Sequence, residues 1–302
     1  MTWLLVAISA YLILAIVFLV DKYLLVSHIP NPKVYTFYIG VSGILILILV
    51  PFGFLIVPRF SLILLALLAG VCHILGVFIF LVGLKSFEAS RIMPAMGALL
   101  PIFTFGFALI LSGQNEVLTF SDITAFVLLI FGTLLITWQK KKTITLTNIK
   151  IAILSAFFFA LYFVLAKLVY LEQPFISGFI WTRIGAFMAA LSLLFSKEVK
   201  EDIFGRPKFI QRKTWVIFFP NEVASASGFI LQNWAIALAP FVYLGIINAL
   251  EGVKYVFVLI FTLFLSLKFP KILKEEVSRE ILFQKIIAIL LIGGGLVLLA
   301  GR

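Results

Sequence analysis

The stretch Asn221–Lys254, NEVASASGFILQNWAIALAPFVYLGIINALEGVK, decides the fold. It contains two apolar segments, each long enough to cross a bilayer, and both carry charge. Glu222 lies in the first segment, and Glu251 and Lys254 lie in the second. An ionised side chain at the centre of a membrane helix costs about 2.5–3.5 kcal/mol on insertion scales. These groups are therefore expected to face protein, water or a solute, and not lipid.

Side chains of the two segments recur at helical steps of three, four and seven residues, which places them on one face of each helix. The two faces consist of Glu222, Ser225, Phe229, Gln232 and Asn233 on the first segment, and of Asn248, Glu251 and Tyr255 on the second. A short turn at Ala239-Pro240 joins the segments and brings the two faces together. The pattern predicts one polar cavity, lined by these residues and Lys254, with the rest of the chain as its scaffold.

The composition is that of a polytopic membrane protein. Of the 302 residues 63% are hydrophobic and 12% are charged, and the mean hydropathy is +1.22. The formal charge of +11 would suggest nucleic acid in a soluble protein. Here the basic residues cluster between apolar segments, so membrane lipid and topology explain them and no nucleic-acid partner is predicted. Cys72 is the single cysteine, which excludes an internal disulfide and a cysteine-based metal site.

Ten apolar segments of about twenty residues match the thickness of a bilayer. They are Trp3–Val26, Val34–Val57, Phe60–Leu84, Ile92–Ser112, Leu118–Trp138, Ile149–Leu171, Phe175–Phe195, Trp215–Leu238, Phe241–Leu267 and Lys285–Ala300. The first lacks a basic n-region and exceeds the usual length of a signal-peptide core, so we interpret it as a transmembrane helix. The fold class predicted is an all-α membrane protein with ten transmembrane helices.

The basic residues between the segments predict the orientation. Nineteen of the 24 lysines and arginines fall in loops after odd-numbered segments, and only Arg59 and Arg302 fall in loops or termini on the opposite side. Under the positive-inside rule the nineteen face the cytoplasm. Both termini are then outside, and the protein is a multi-pass protein of the cell (inner) membrane.

The two halves of the sequence, 1–138 and 149–302, match each other in several places. The matches are Val20–Tyr23 with Leu165–Leu168, Ile39-Gly40 with Ile184-Gly185, Ala98-Leu99 with Ala249-Leu250, and Gly132 with Gly294. Each half holds five predicted helices. Because five is an odd number, two such repeats must be inverted across the membrane, an architecture typical of transporters.

Particular residues connect these repeats to a known family. A lysine ends the first helix of each half, an arginine lies in the second helix of the second half, a small-residue stretch and a proline occur around the fourth helix, and a glycine lies in each fifth helix. These residues are Lys22, Lys167, Arg183 (with Tyr38 in the first half), Glu88-Ala89-Ser90, Pro101, Gly132 and Gly294. On them each half resembles the EamA-type repeat of the drug/metabolite transporter superfamily. The Gly-Glu that ends the fourth helix of that family reads Gly113-Gln114, with Glu116 following, and Leu265–Lys268 in the second half lacks it. The resemblance implies two inverted five-helix repeats and transport of a small metabolite.

The charged residues within the segments each allow a functional and a structural interpretation. Glu222 has no charged neighbour on its own helix, so it is a candidate for a protonatable coupling group or for pairing with Lys254 or Arg183. Glu251 and Lys254 stand three apart and can pair along one face. That pair either contacts a solute or ion or merely survives burial.

Two further residues complete the candidate site. Arg183 either faces the cavity or stabilises helix ends, and its long side chain favours the structural role. His73 lies among small residues at helical spacing, which indicates close packing more strongly than a proton relay.

No enzyme signature is present, neither a nucleophile elbow nor a zinc-binding HExxH pair, and no Walker A loop indicates ATP. No cofactor is expected. The sequence predicts a secondary transporter that moves a small molecule by alternating access, with proton coupling or exchange. The alternatives are a flippase for lipids or amphiphiles, a membrane scaffold or sensor that transports nothing, and a membrane enzyme whose site carries no known signature.

Overall fold

Helices account for almost all of the chain that the structure, a computed structural model, describes: residues 2–27, 31–86, 89–111, 118–138, 146–205, 212–268 and 279–301. No strand occurs within these ranges. The α-helices are α1 Thr2–Ser27, α2 Pro32–Ser42, α3 Phe60–Ser86, α4 Ala89–Leu111, α5 Phe120–Thr137, α6 Leu146–Glu172, α7 Phe175–Ser192, α8 Lys197–Lys200, α9 Arg212–Leu238, α10 Leu244–Ala249, α11 Glu251–Lys268 and α12 Arg279–Ala300.

Eight helical stretches in the described chain are long and apolar enough to cross a membrane. They are Thr2–Leu25, Pro32–Phe52, Phe60–Lys85, Phe120–Thr137, Ile149–Glu172, Phe175–Phe195, Phe241–Thr262 and Ile281–Ala300. The chain is therefore an all-α, multi-pass membrane protein. Of the two remaining predicted segments, the fourth contains the shorter apolar helix Ala95–Leu111. The eighth corresponds to α9, whose hydropathy is lowered by polar residues that include Asn221, Glu222, Gln232 and Asn233.

The second predicted helix, Val34–Val57, differs from the one observed. Asn31 caps α2, accepting a hydrogen bond from the Lys33 amide at 2.9 Å. After Ser42 the chain tightens into a 3₁₀-helix over Gly43–Phe52 and stops at Gly53, whose φ of 79° is left-handed. Glycine adopts that conformation without steric strain. Residues 54–59 then run in irregular conformation to α3.

The ninth predicted helix, Phe241–Leu267, is also interrupted. A 3₁₀-turn over Phe241–Tyr243 leads into α10, and α10 is separated from α11 at Leu250. The Leu250 amide is shared between the carbonyl oxygens of Ile246 and Ile247, at 3.0 and 3.2 Å. Leu250 itself keeps right-handed helical angles, φ −64° and ψ −5°, so α11, which begins at Glu251, continues the course of α10 after a local tightening.

The helices pack in a small number of extensive pairs. Helix α1 packs along α9 and α11, α6 packs along α3 and α4, and α5 packs along α12. Helix α4 also contacts α10, and α7 contacts both α2 and α3. These contacts bring helices from the first and second halves of the sequence together throughout the bundle.

The contact between α3 and α7 is close enough to require glycine. A Cβ atom at Gly185 would lie 2.3 Å from the Leu67 carbonyl oxygen, and one at Gly70 would lie 2.1 Å from the Thr182 carbonyl oxygen. Real Cβ contacts do not approach so closely, so the two backbones can meet only where these side chains are missing. The resulting contact fixes the position of the neighbouring residue, Arg183.

Candidate functional site

Polar side chains inside the bundle form two groups, both involving α9. The first, called here the acidic cluster, consists of Asp21, Tyr35, Ser42, Asn221, Glu222, Glu251, Lys254 and Tyr255. The second, called here the arginine cluster, consists of His73, Tyr162, Tyr170, Phe179, Arg183, Phe229 and Asn233. The first involves α1, α2, α9 and α11, and the second α3, α6, α7 and α9.

Two carboxyl groups form one side of the acidic cluster. Asp21 Oδ1 accepts hydrogen bonds from the Tyr35 hydroxyl and from Asn221 Nδ2, both at 2.6 Å. Glu222 Oε2 accepts one from the Ser42 hydroxyl at 2.7 Å. The two carboxyls lie within electrostatic range of one another. Helices α1, α2 and α9 are thereby connected through carboxyl oxygens.

The other side of the acidic cluster is the pair on α11. Lys254 Nζ forms a salt bridge with Glu251 Oε1, and the Tyr255 hydroxyl donates to the same oxygen at 3.3 Å. Only 15% of the Glu251 side chain and 14% of the Lys254 side chain is exposed. Glu251 Oε2 is buried and has no hydrogen-bond partner. Because Lys254 also interacts electrostatically with Asp21, the cluster joins three carboxyl groups to one ammonium group.

Gln232 reaches α10 through Tyr11, whose hydroxyl also interacts electrostatically with Glu251. Its Nε2 donates to the Tyr11 hydroxyl at 3.3 Å, and that hydroxyl donates to the Ile247 carbonyl at 2.8 Å. On the next residue of α10, Asn248 Nδ2 donates to the Thr104 hydroxyl at 3.0 Å, while Asn248 Oδ1 is buried without a partner. Asn248 therefore faces α4 and not the acidic cluster.

Arg183 is the centre of the arginine cluster. Its guanidinium carbon lies 4.5 Å from the ring centroid of Phe229 and 5.2 Å from that of Phe179. The third ring, Tyr162, is 5.9 Å away, and its hydroxyl also interacts with the guanidinium. Arg183 is 8% exposed, and its Nε and Nη2 atoms are buried with no hydrogen-bond acceptor. Ring faces thus surround the cation while part of its N–H edge is unmatched.

The remaining members of the arginine cluster fix the rings around Arg183. Asn233 Oδ1 accepts hydrogen bonds from the hydroxyls of Tyr162 at 2.6 Å and Tyr170 at 3.0 Å, and Asn233 Nδ2 donates to the Phe229 carbonyl. The His73 ring lies 4.9 Å from that of Tyr162 and 4.7 Å from that of Phe229. His73 Nδ1 is buried without a partner.

The structure distributes the predicted site residues over the two clusters instead of one group. Glu222, Glu251, Lys254 and Tyr255 belong to the acidic cluster, and His73, Arg183 and Asn233 belong to the arginine cluster. Gln232 is hydrogen-bonded to Tyr11, and Asn248 is hydrogen-bonded to Thr104. Ser225 is half-buried on α9.

Sequence reasoning missed Asp21, Tyr162 and Tyr170. Asp21 is an acidic residue inside the first predicted apolar segment, so the criterion that selected Glu222 would also have selected it. Tyr162 and Tyr170 carried no comparable signal, because eight tyrosines occur in the chain and their partners lie on other helices.

Lys167 caps a helix in this structure. It is 2% exposed, and its Nζ donates to the carbonyl oxygens of Ala237 at 3.0 Å and Ala239 at 2.6 Å, where α9 ends. A buried ammonium at a helix C-terminus satisfies free carbonyl groups and interacts favourably with the dipole. Lys22, its counterpart in the sequence comparison, is exposed.

Contacts at both ends connect α2 to the α7 region. At one end Lys33 pairs with Glu198 at 3.0 Å, and the Tyr38 hydroxyl donates to Asp202 at 3.3 Å. Hydrogen bonds from the Ser196 hydroxyl, from its own amide and from Lys33 lower the pKa of Glu198 to about 2, so it is ionised at neutral pH.

At the other end the irregular segment after α2 is held against α7. Ser177 exchanges two hydrogen bonds of 3.1 Å with the backbone of Ile56, and Trp181 Nε1 donates to the Ile56 carbonyl. Arg59 pairs with Glu172 at 2.9 Å. Polar contacts thus join α2 and the segment that follows it to the α7 region at both ends.

In the part of the chain that the structure describes, no group of three His, Cys, Asp or Glu side chains could hold a metal ion. No family model matches the sequence, and no curated protein is similar to it at a significant level. Twenty-five chains of solved structures resemble the fold. One of them, described as "Crystal structure of protein", has a TM-score of 0.67 and 15% sequence identity, and the match covers 99% of this chain and 95% of that chain. At that identity the similarity shows a shared fold.

Proposed function

We propose that the chain is a secondary transporter of the EamA, or drug/metabolite, type. Ten transmembrane helices, forming two inverted repeats over 1–138 and 149–302, would move a small metabolite across the cell membrane by alternating access. In this arrangement α10 and α11 together form the ninth membrane crossing, α9 forms the eighth and α12 the tenth.

The pairing of the helices supports two related halves. We number the ten proposed membrane crossings in chain order. Helix α1 packs on α9, which pairs crossing one with crossing eight, and α6 packs on α3, which pairs crossing six with crossing three. Likewise α1 packs on α11, and α6 packs on α4. Three further pairs join helices of equal rank, α2 with α7, α4 with α10 and α5 with α12, and the extensive pair of α3 with α7 falls outside this pattern. A pseudo-twofold axis between the halves predicts such a pattern, and five helices per half favour the inverted form.

The observation that carries the proposal is the set of buried charged groups where helices of the two halves meet. Asp21 of the first half contacts Asn221 of the second, and Glu222 of the second contacts Ser42 of the first. Arg183 and His73 are likewise neighbours across the halves. Charged groups at membrane depth are costly and mark solute or ion pathways.

The acidic cluster is the proposed coupling site. It has three carboxyl groups and one ammonium group, and an excess of buried negative charge is expensive. Binding a proton, or exchanging it for a bound solute, removes part of that cost. Glu222 and Asp21 are the candidates for the proton, because Glu251 already pairs with Lys254.

Transport is tested with purified protein in liposomes that carry a pH gradient. The vesicles are incubated with a metabolite mixture, and the trapped solutes are identified by mass spectrometry against protein-free vesicles. Accumulation of a defined solute that depends on the gradient, or on the same solute preloaded inside, supports the proposal. Translocation of a fluorescent lipid without accumulation of any solute would identify a flippase instead, and neither activity would leave the scaffold interpretation.

A further inference from the structure

We infer that Arg183 binds the oxyanion of a small organic acid, a carboxylate or a phosphate monoester, within the arginine cluster. This inference rests on the proposed transport function and names the chemical class of the solute. It starts from the two guanidinium nitrogens, Nε and Nη2, that are buried without an acceptor in a side chain only 8% exposed.

The unmatched nitrogens lie on one edge of the guanidinium. The N–H groups of Nε and Nη2 point in nearly the same direction, and this edge is the one that grips a carboxylate or phosphate with two parallel hydrogen bonds. The aromatic contacts supply no hydrogen-bond acceptor to it, and both nitrogens stay without a partner. The edge therefore remains available while Phe229 and Phe179 hold the group in position.

The charge of Arg183 has no anionic partner in the part of the chain that the structure describes. The salt bridges found there join Lys33 with Glu198, Arg59 with Glu172, and Lys254 with Glu251. A buried cation without a counter-charge is strongly unfavourable in a membrane protein. An anionic solute would supply the missing charge and the missing acceptors together.

His73 provides a further donor for the same ligand. Its Nδ1 is buried without a partner, and the imidazole interacts electrostatically with Arg183. A neutral imidazole can place its proton on Nδ1 and donate to an oxyanion. His73 lies on α3 and Arg183 on α7, so a ligand held by both would bridge the two halves of the protein.

The surroundings specify an organic anion in preference to an inorganic one. Around Arg183 and His73 stand the rings of Phe159, Tyr162, Phe179 and Phe229. They exclude water, which strengthens the charge-assisted hydrogen bonds, and they match a flat apolar body attached to the oxyanion. An arginine held only by aromatic rings for structural reasons would show the same packing but would not bind anions.

Thermal unfolding of the purified protein separates these two possibilities. Benzoate and phenyl phosphate serve as oxyanion probes at millimolar concentration, and benzamide is the neutral control of the same shape. We expect benzoate, phenyl phosphate or both to raise Tm, because a ligand that binds only the folded state stabilises it. Benzoate alone indicates a carboxylic acid as the solute, phenyl phosphate alone a phosphate monoester, and both indicate a general oxyanion site.

Substitutions then assign the effect to Arg183. Arg183→Gln should abolish the Tm rise, and Arg183→Lys, which keeps the charge but loses the two-pronged edge, should weaken apparent affinity at least tenfold. Arg59→Gln, which removes an exposed arginine from its salt bridge, should leave the rise unchanged. If Arg183→Gln does not fold, the comparison of Arg183→Lys with wild type decides. An equal rise with benzamide, no rise with either oxyanion, or a full rise in the folded Arg183 variants would overturn the inference.

The liposome assay keeps this inference separate from the proposed function. If oxyanions bind through Arg183 but no solute crosses the vesicle membrane, the anion site stands and the transport proposal fails. If a solute is transported equally well by wild type and Arg183→Gln, transport stands and the role assigned to Arg183 fails.

Discussion

Asn221 of α9 donates a hydrogen bond of 2.6 Å to Asp21 of α1, although 200 residues separate them in the chain. The next residue, Glu222, is bonded to Ser42 of α2, and Tyr35 of α2 is bonded to Asp21. Two carboxyl groups are therefore each held by a hydroxyl of the same helix. A change in the protonation of either carboxyl would alter contacts among α1, α2 and α9, as the proposed proton coupling requires.

The first prediction concerns which carboxyl carries the proton. Glu222→Gln and Asp21→Asn keep the shape of each side chain and remove its titration. If Glu222 is the coupling group, Glu222→Gln should abolish solute accumulation driven by a pH gradient, while exchange of solute for solute continues. Uptake and exchange are measured in the same liposomes. Asp21→Asn should show that loss instead if Asp21 binds the proton.

Glu172→Gln is the control for this prediction, because Glu172 is a half-exposed partner of Arg59 and lies outside the cluster. Gradient-driven accumulation that persists in both Glu222→Gln and Asp21→Asn, with normal folding, would remove the acidic cluster from the coupling mechanism.

The second prediction concerns the salt bridge between Glu251 and Lys254. Lys254→Met leaves a buried carboxylate without its partner and should destabilise the protein by about 3–5 kcal/mol. Replacing both, with Glu251→Leu and Lys254→Met, removes a whole buried pair and should recover most of that loss. Stability is followed by denaturant or thermal unfolding in detergent.

Transport by the double variant then shows what the pair does. If the pair is structural only, the double variant transports as well as wild type. Loss of transport in a stable double variant would show that Glu251 or Lys254 contacts the solute or the coupling ion. A double variant as unstable as Lys254→Met would contradict the pairing itself.

The third prediction concerns the close contact between α3 and α7. Gly70→Ala and Gly185→Ala each push a Cβ atom into the backbone of the facing helix, at 2.1 and 2.3 Å in the present positions. Overpacking of this kind costs about 1–3 kcal/mol. Gly106→Ala in α4 is the matched control, because nothing lies within 4 Å of the added Cβ atom. Unfolding midpoints that fall equally in all three variants would contradict the packing described for α3 and α7.

Much of the helical architecture could be predicted from the sequence. The starts of α3 at Phe60 and of α7 at Phe175 agree with the apolar segments, because the change from polar or proline-containing loop to apolar helix is abrupt there. The irregularity at Leu250 could not be predicted, since no proline or glycine occupies that position. The 3₁₀-helix after Ser42 was missed for a similar reason, since apolar periodicity does not distinguish it from an α-helix.

The candidate site was predicted in part. Charge at membrane depth selected Glu222, Glu251 and Lys254, and the structure places all three in the acidic cluster. It did not reveal the surroundings of Arg183: Phe179 lies one turn before it on α7, but the rings of Tyr162 and Phe229 come from α6 and α9. The length of the Arg183 side chain favours a structural role at the level of sequence, and the unmatched N–H groups are visible only in three dimensions.

The fourth prediction concerns orientation in the membrane. The excess of basic residues in loops after odd-numbered helices predicts that Lys150 and Lys200 lie in the cytoplasm and that Val57 lies outside. All three side chains are exposed, and the native Cys72 is buried. In a Cys72→Ser background, Val57→Cys should react with a membrane-impermeant thiol reagent added to intact cells, whereas Lys150→Cys and Lys200→Cys should react only after the membrane is opened.

Predicted cytoplasmic positions at 140–145, 206–211 and 269–278 lie outside the described residues and can be labelled in the same way. Labelling of Lys150→Cys and Lys200→Cys in intact cells, with protection of Val57→Cys, would reverse the orientation. It would also place toward the outside the end of the protein that carries the Lys33–Glu198 contact, which is the end nearer to the acidic cluster.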